Sequence, residues 1–161
     1  MAFSLRSAET SDEPFLFNVY ASTRTEELAV VPWSDEQKHA FLEMQFNAQR
    51  QSYLEQFPGA RYDIILDEGV PAGRLIVDRA EERILLIDIA LLAEHRNKGI
   101  GSRFIADLKN EASESGKPLW LDVETFNPAI RLYERLGFRK IDEIGIYWRL
   151  EWRPGREINV Q

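Results

Sequence analysis

The chain has 161 residues, 44% of them apolar and 29% charged, with a net charge of −7 and no cysteine. That length suits one domain with a substantial core, and the acidity argues against nucleic acid as the main partner. The missing cysteines exclude disulfides, thiolate metal sites and a cysteine nucleophile, while no run of about eighteen apolar residues offers a membrane span. Met1 to Arg6 lacks the basic-then-apolar layout of a signal peptide, so the cytoplasm is the expected compartment.

Phe3 to Ser7 alternates as a short strand. Thr10-Ser11-Asp12-Glu13 reads as a capping box opening a helix through about Leu28, which Pro32-Trp33 interrupts. Ser34 with Gln37 forms a second capping box, opening a long polar helix through about Gln56 that Pro58-Gly59 ends. Tyr62 to Leu66, Val70 to Val77 and Ile84 to Leu92 read as a three-stranded meander, divided by the Asp67-Glu68-Gly69 turn and the charged Asp78 to Arg83 turn. Ile100, Phe104, Ile105, Leu108 and Ala112 fall on one helical face, with Gly116 and Pro118 at the exit. Leu119 to Val123 is a strand and Pro128 to Leu136 a helix with proline first and Gly137 beyond its end; Phe138 to Trp152 forms two strands around Gly145. The strand at Ile84, helix at Ile100 and strand at Leu119 make a βαβ unit, which predicts two parallel neighbouring strands. One domain over residues 1–153 and a loose tail over 154–161 are expected.

The run Arg96-Asn97-Lys98-Gly99-Ile100-Gly101 joins an apolar strand to that βαβ helix. A helix start exposes N–H groups without intrahelical partners and carries a partial positive charge, so a phosphate docking at Gly99 to Ser102 would meet several donors. Glycine admits a pyrophosphate close to the main chain, and Arg96 and Lys98 add cationic heads. A tight turn with surface cations is the alternative reading of the same residues. Two other phosphate fingerprints are absent. Gly101 is followed by Ser102 and Arg103 rather than by Lys-Ser/Thr, and no third glycine stands near Phe104. Gly-x-Ser-x-Gly is absent as well, which removes a serine hydrolase.

Leu91 to Gly101 resembles the acyl-CoA-binding signature of the GNAT N-acyltransferases, Arg/Gln-x-x-Gly-x-Gly/Ala after the fourth strand. Asn127 to Phe138 is similar to the second hallmark of that family, an asparagine-initiated helix with a central tyrosine closed by Leu-Gly-Phe. The two signatures stand in family order, and the resemblance covers Ile84 to Phe138 well. It implies the GNAT α/β fold: a mixed, mostly antiparallel seven-stranded sheet with a splayed parallel pair of fourth and fifth strands and flanking helices. It also implies acetyl-CoA as co-substrate, with Ile89, Ala90 and Leu91 pairing the pantetheine amides. Arg96, Asn97, Lys98, Gly99, Ile100, Gly101 and Ser102 would hold the pyrophosphate, and Asn127 the pantetheine arm.

The transfer such a protein performs requires a polarised thioester carbonyl, a deprotonated amine and a protonated leaving thiolate. A backbone N–H near Leu91 is the oxyanion donor by resemblance, and Tyr133 the acid. Tyr133 also reads as a core tyrosine, because Ile130, Tyr133 and Leu136 share a helical face, and Asn127 before proline also reads as an N-cap. Many relatives carry a glutamate earlier on the fourth strand, but Ile84-Leu85-Leu86-Ile87 is wholly apolar. Asp88 is the nearest carboxylate, while Asp122 and Glu124 share one face of the following strand. Asp88 and Glu124 rank above Asp122 as the base, each having the alternative of a solvated or paired strand carboxylate. His39 and His95 read as surface residues without a second ligand at metal spacing, so no metal is expected.

The resemblance implies that the aromatic-rich stretch Ala8 to Ala60 builds the acceptor wall, with Arg24, Glu26, Glu27 and the exposed side of Met44 to Arg50 as its polar remainder. An acidic chain attracts amines, so a small-molecule primary amine is the expected acceptor, with no membrane partner; the assembly left open is a homodimer. The activity implied is acyl-CoA-dependent N-acyl transfer (EC 2.3.1.-). The competing reading is a GNAT-fold protein that binds acyl-CoA as a sensor or in an assembly, without turnover.

Overall fold

The turns that glycine punctuates set the strand order. Glu68 and Gly69 take φ of 50° and 80°, the left-handed pair of a two-residue hairpin turn, and so fold Val70–Arg79 back beside Arg61–Asp67. The computed structural model describes residues 2–155. Its strands are β1 (Phe3–Ser7), β2 (Arg61–Asp67), β3 (Val70–Arg79), β4 (Ile84–Leu91), β5 (Leu119–Glu124), β6 (Arg139–Ile144) and β7 (Tyr147–Trp152). The helices are α1 (Glu13–Ser22), α2 (Thr25–Ala29), α3 (Asp35–Gln56), α4 (Ile100–Ser115) and α5 (Ile130–Arg135).

The seven strands form one sheet in the order β1-β2-β3-β4-β5-β7-β6. β1 pairs antiparallel with β2, and β7 antiparallel with both β5 and β6, whereas β4 and β5 are parallel. The parallel ladder comprises Ile84↔Leu119, Leu85↔Trp120 and Leu86↔Leu121, and β4 itself runs on to Leu91. The element order and the parallel pair are those the residue pattern predicts, and the mixed seven-stranded sheet is the one the resemblance implies. No helix among the described residues is long and apolar enough to cross a membrane.

Contacts gather into two compact units, residues 2–76 with 88–98 and residues 77–87 with 99–155. In the first, Val19, Tyr20 and Phe46 of the helices are buried together with Ile64, Ile65, Leu75 and Ile76 of the strands. Aromatic contacts order that core, Phe17 edge-on to the Phe46 ring at 5.6 Å and Tyr20 tilted against it at 5.8 Å. In the second unit, all five apolar residues of the predicted α4 face are buried, the four larger than alanine each contributing about 1.5–3 kcal/mol where burial is complete.

Three helix boundaries differ from the sequence pattern. The first cap is not Thr10 to Glu13: the Glu9 N–H donates to Asp12 Oδ2 at 2.8 Å, and Arg6 holds both Asp12 oxygens at 2.8 Å, so a short 3-10 turn precedes α1. The helix expected through Leu28 stops at Ser22 and resumes as α2. Ser22 and Thr23 turn their hydroxyls back onto the carbonyls of Val19 and Tyr20, both at 2.7 Å, and offer the backbone an alternative to the helical ladder. The helix expected from Pro128 starts at Ile130, because Asn127 and Pro128 carbonyls accept from Ile130 and Arg131 in three-residue turns before the Tyr133 N–H reaches Ala129. Ser34 and Gln37 do form the predicted reciprocal cap of α3, at 3.1 and 2.9 Å. Of the expected tail, residues 156–161 lie outside the described residues.

Candidate active site

Asn97 and Gly99 both take left-handed φ, 62° and 83°, which turns the chain sharply into α4. The first intrahelical bond of α4 runs from the Arg103 N–H to the Gly99 carbonyl at 3.0 Å, so the N–H groups of Ile100, Gly101 and Ser102 stand ahead of the ladder. No side chain caps them, and the first turn holds no acidic residue. A helix opening in this way is left to be capped by an anion or by water.

The cations beside that turn are tethered. Arg96 Nε donates to the Leu91 carbonyl at 2.9 Å and Nη2 to Ser22 Oγ at 3.3 Å, and Lys98 Nζ lies 3.2 Å from Asp67 Oδ2. The same Asp67 oxygen takes His95 Nδ1 at 2.8 Å. His95 is therefore not a surface histidine: its side chain is mostly buried, tucked against a buried carboxylate that lies 28 positions away in the chain. The bond from His95 holds the Asp67 carboxyl below the usual carboxylate range, with Lys98 adding to the effect. His39 is exposed, as expected, beside Glu43 at 3.4 Å. Among the described residues no cluster of His, Asp and Glu is arranged to hold a metal.

Backbone at the end of β4 is fixed by a glycine that the sequence pattern did not single out. A Cβ on Gly73 would lie 2.1 Å from the Ala90 carbonyl oxygen and 3.0 Å from Leu91 Cα, so only glycine lets β3 approach here. The Leu92 N–H donates to Ala72 at 2.9 Å. Ile89, Ala90 and Leu91 are thus clamped from the β3 side. An isolated glycine inside a strand pattern was the available signal.

The three candidate carboxylates have different surroundings. Asp88 receives Arg74 Nε at 2.5 Å, and Arg74, almost wholly buried, also reaches Gln49 Oε1 at 2.8 Å. Asp122 is held side-on by Arg149 at 2.9 and 3.0 Å, and this bond, ahead of all else, raises the Arg149 guanidinium above its ordinary value. Glu124 is half-buried at the end of β5, its carbonyl accepting from the Asn127 N–H at 2.9 Å. Asn127 Oδ1 accepts from the Ala129 N–H at 2.9 Å, a side-chain turn ahead of the helix rather than the expected cap, since the cap position of α5 is Ala129 and no side chain fills it; the Asn127 amide NH2 end is not used by this bond. Tyr133 is half-buried on α5 with its ring edge-on to Phe138 at 6.0 Å, and its carbonyl accepts from Leu136 and Phe138.

The polar residues of the N-terminal helices converge on Tyr20. Its hydroxyl lies 3.4 Å from Gln45 Oε1, and the guanidiniums of Arg24 and Arg74 lie 5.3 and 6.0 Å from its ring centroid. Arg24 Nη1 pairs with Glu27 at 3.1 Å. Gln45 and Gln49 are one helical turn apart on α3, so the polar remainder of Met44 to Arg50 is in part the lining of this cluster.

The fold is thus a mixed seven-stranded α/β sheet whose fourth strand feeds an uncapped glycine turn and helix. The sequence model described as the acetyltransferase (GNAT) family matches residues 16–138, and the chain belongs to that family. Mycothiol acetyltransferase of Saccharopolyspora erythraea is 29% identical over 118 residues, 65% of this chain and 37% of that protein. The [ribosomal protein bS18]-alanine N-acetyltransferase of Haemophilus influenzae is 32% identical over 71 residues, 44% of this chain and 49% of that one. The matches thus span less than half of either relative. Among solved structures, the PaiA N-acetyltransferase of Thermoplasma acidophilum in complex with coenzyme A superposes with a TM-score of 0.70 at 16% identity, covering 95% of this chain and 99% of that one. A GNAT acetyltransferase of Elizabethkingia anophelis with acetyl-CoA bound gives 0.61 at 16% identity, over 94% and 97%.

Proposed function

We propose that this protein is an N-acyltransferase that moves an acetyl group from acetyl-CoA to a small primary amine by direct attack in a ternary complex. The observation that carries the reading is the turn at Asn97 and Gly99, whose two left-handed residues open α4 with free N–H groups and neither a side-chain cap nor an acid in the first turn. A pyrophosphate is the anion this geometry suits. Arg96, Asn97, Lys98, Gly99, Ile100, Gly101 and Ser102 bind it, Ile89 to Leu91 and the Asn127 amide take the pantetheine arm, and the Leu91 N–H polarises the thioester carbonyl.

The chemistry then balances without a cofactor beyond the co-substrate. An alkylammonium gives one proton to a carboxylate or to solvent, with Asp88 and Glu124 as the candidate carboxylates. The free amine attacks the thioester carbon, the C–N bond forms as the C–S bond breaks, and the amine's second proton is lost. Tyr133 donates a proton to the leaving thiolate and is reprotonated from solvent, so the products are an N-acetyl amine and CoA thiol.

The pairing of Asp88 with a buried arginine favours a second reading, acyl-CoA binding without turnover, in which Asp88 is structural. Incubating the protein with acetyl-CoA and an amine panel of polyamines, amino acids and aminosugars, with free-thiol release as the readout, separates the two. Thiol release dependent on an amine supports transfer; tight CoA binding by calorimetry with no release from any amine, including protein N-termini and lysine peptides, supports the second reading. Release with those peptides alone overturns the small-molecule acceptor.

A further inference from the structure

Around the Tyr20 ring nearly every polar head has its partner. Arg74 is met by Asp88 and Gln49, the Tyr20 hydroxyl by Gln45, and Arg24 Nη1 by Glu27. Arg24 Nε is the exception: it is buried and makes no hydrogen bond of its own among the described residues, although, against the desolvation of burial, Tyr20 and Glu27 hold the guanidinium above its ordinary value. A buried charged donor left unmet is costly, and the cost is removed by whatever supplies an acceptor. Guanidinium geometry says which acceptor fits. With Nη1 engaged by Glu27, the remaining edge of the fork, Nε and Nη2, is the one that receives an oxyanion side-on through two parallel bonds.

Two guanidiniums over one ring would repel, and they are compensated unequally inside the protein. Arg74 is neutralised by Asp88 at 2.5 Å, whereas the Glu27 partner of Arg24 is largely exposed and its pairing correspondingly weak. Outside these pairings stand the second oxygen of Asp88, Oδ1, which can meet a cation, and the Nε edge of Arg24, which can meet an anion. We propose that Arg24 binds a carboxylate carried by the acceptor itself, so that the acceptor is an amine of the amino-acid class, its ammonium end toward Asp88. This rests on the acetyl-transfer reading above.

The test compares each amino acid with the amine left when its carboxylate is removed, phenylalanine against phenethylamine and lysine against cadaverine, by thiol release from acetyl-CoA. A charge-assisted bond of this kind predicts that kcat/KM favours the carboxylated member by about tenfold to a hundredfold. Arg24→Gln collapses that ratio toward one, while Arg24→Lys, which keeps the charge and loses the fork, falls between; melting temperatures establish that both variants fold. Equal use of both members by the wild type overturns the proposal. So does an Arg24→Gln variant whose KM rises for acetyl-CoA rather than for the acceptor, since the oxyanion would then be a phosphate of the donor. If CoA binds and no amine releases thiol, the transfer reading fails. The same acid and amine pairs are then titrated into the CoA-loaded protein by calorimetry, and binding no tighter for the carboxylated member overturns the Arg24 assignment independently.

Discussion

The segment Leu91 to Ser102 and the helical segment Glu13 to Gln56 both carry proposed binding groups, but they carry them in different parts of the residue. In the first the working atoms are main-chain: two left-handed residues at Asn97 and Gly99, the N–H groups opening α4, and a β4 backbone clamped by Gly73. In the second they are side-chain heads gathered around Tyr20, brought by residues 20, 45 and 49 of α1 and α3 and by Arg24 at the cap of α2. A main-chain site tolerates few residue types at its turns and so leaves a motif in the sequence. A side-chain cluster can be built from many combinations, and its specificity is invisible until the helices are packed.

The largest effect expected on this comparison comes from the loop. Gly99 has φ of 83° and open space around its missing Cβ, so Gly99→Val is opposed by backbone strain rather than by a clash, and it should displace the N–H groups that open α4. Calorimetry should find CoA binding abolished, about a hundredfold or more in Kd, with native circular dichroism. Gly101→Val should act in the same direction. Unaltered CoA affinity in both variants would remove the main-chain account of the site.

What the chain made legible follows the same division. α4 was readable because its apolar residues recur at helical spacing, and all five are buried. The Ser34–Gln37 cap was readable because both partners lie within one turn. Hidden were the pairings that depend on register: Asp88 with Arg74 across β3 and β4, 14 positions apart, and His95 with Asp67, 28 apart. The break at Thr23 was missed because Ser22 and Thr23 suit a helix until their hydroxyls capture the carbonyls behind them. Glycine at position 73 carried its message only once β4 was known to lie against it.

Next in size is the buried pair of the side-chain region. Asp88→Asn leaves the Arg74 guanidinium buried without its counter-charge, which should cost about 3 kcal/mol or more of stability. Denaturant melts check it, and adding Arg74→Gln should recover part of the loss. If Asp88 is also the base, turnover stays low in the double variant although stability returns; recovered turnover would make its role structural. An Asp88→Asn protein as stable as wild type would contradict the pairing itself.

Tyr133→Phe comes third. A proton donor to the leaving thiolate predicts a fall in kcat of about 10²-fold, roughly 2.7 kcal/mol, with CoA affinity little changed. A ring that only packs on Phe138 predicts a lower melting temperature and near-normal turnover per folded molecule. One sample, measured for both, decides between them.

The smallest effect separates two carboxylates that titrate in the same direction for different ends. Hydrogen bonds from Arg6 and from the Glu9 N–H hold the Asp12 carboxyl at about 2, against an ordinary 3.8. A depressed folded value means the stabilisation is fully present above the unfolded value and is lost as pH falls from about 4 through about 2. Asp67 is depressed too, chiefly by the bond from His95, and so carries the same sign. The melting temperature of the wild type should therefore drop across that acid range, and Asp12→Asn should flatten part of the drop. The two residues part over the co-substrate. Asp12 braces β1 against the entry to α1, so its replacement should leave CoA affinity untouched, whereas Asp67 anchors His95 and Lys98 on the approach to Gly99, and Asp67→Asn should weaken CoA binding by several-fold. Equal CoA affinity in both variants would mean that the turn holds its left-handed geometry without that anchor.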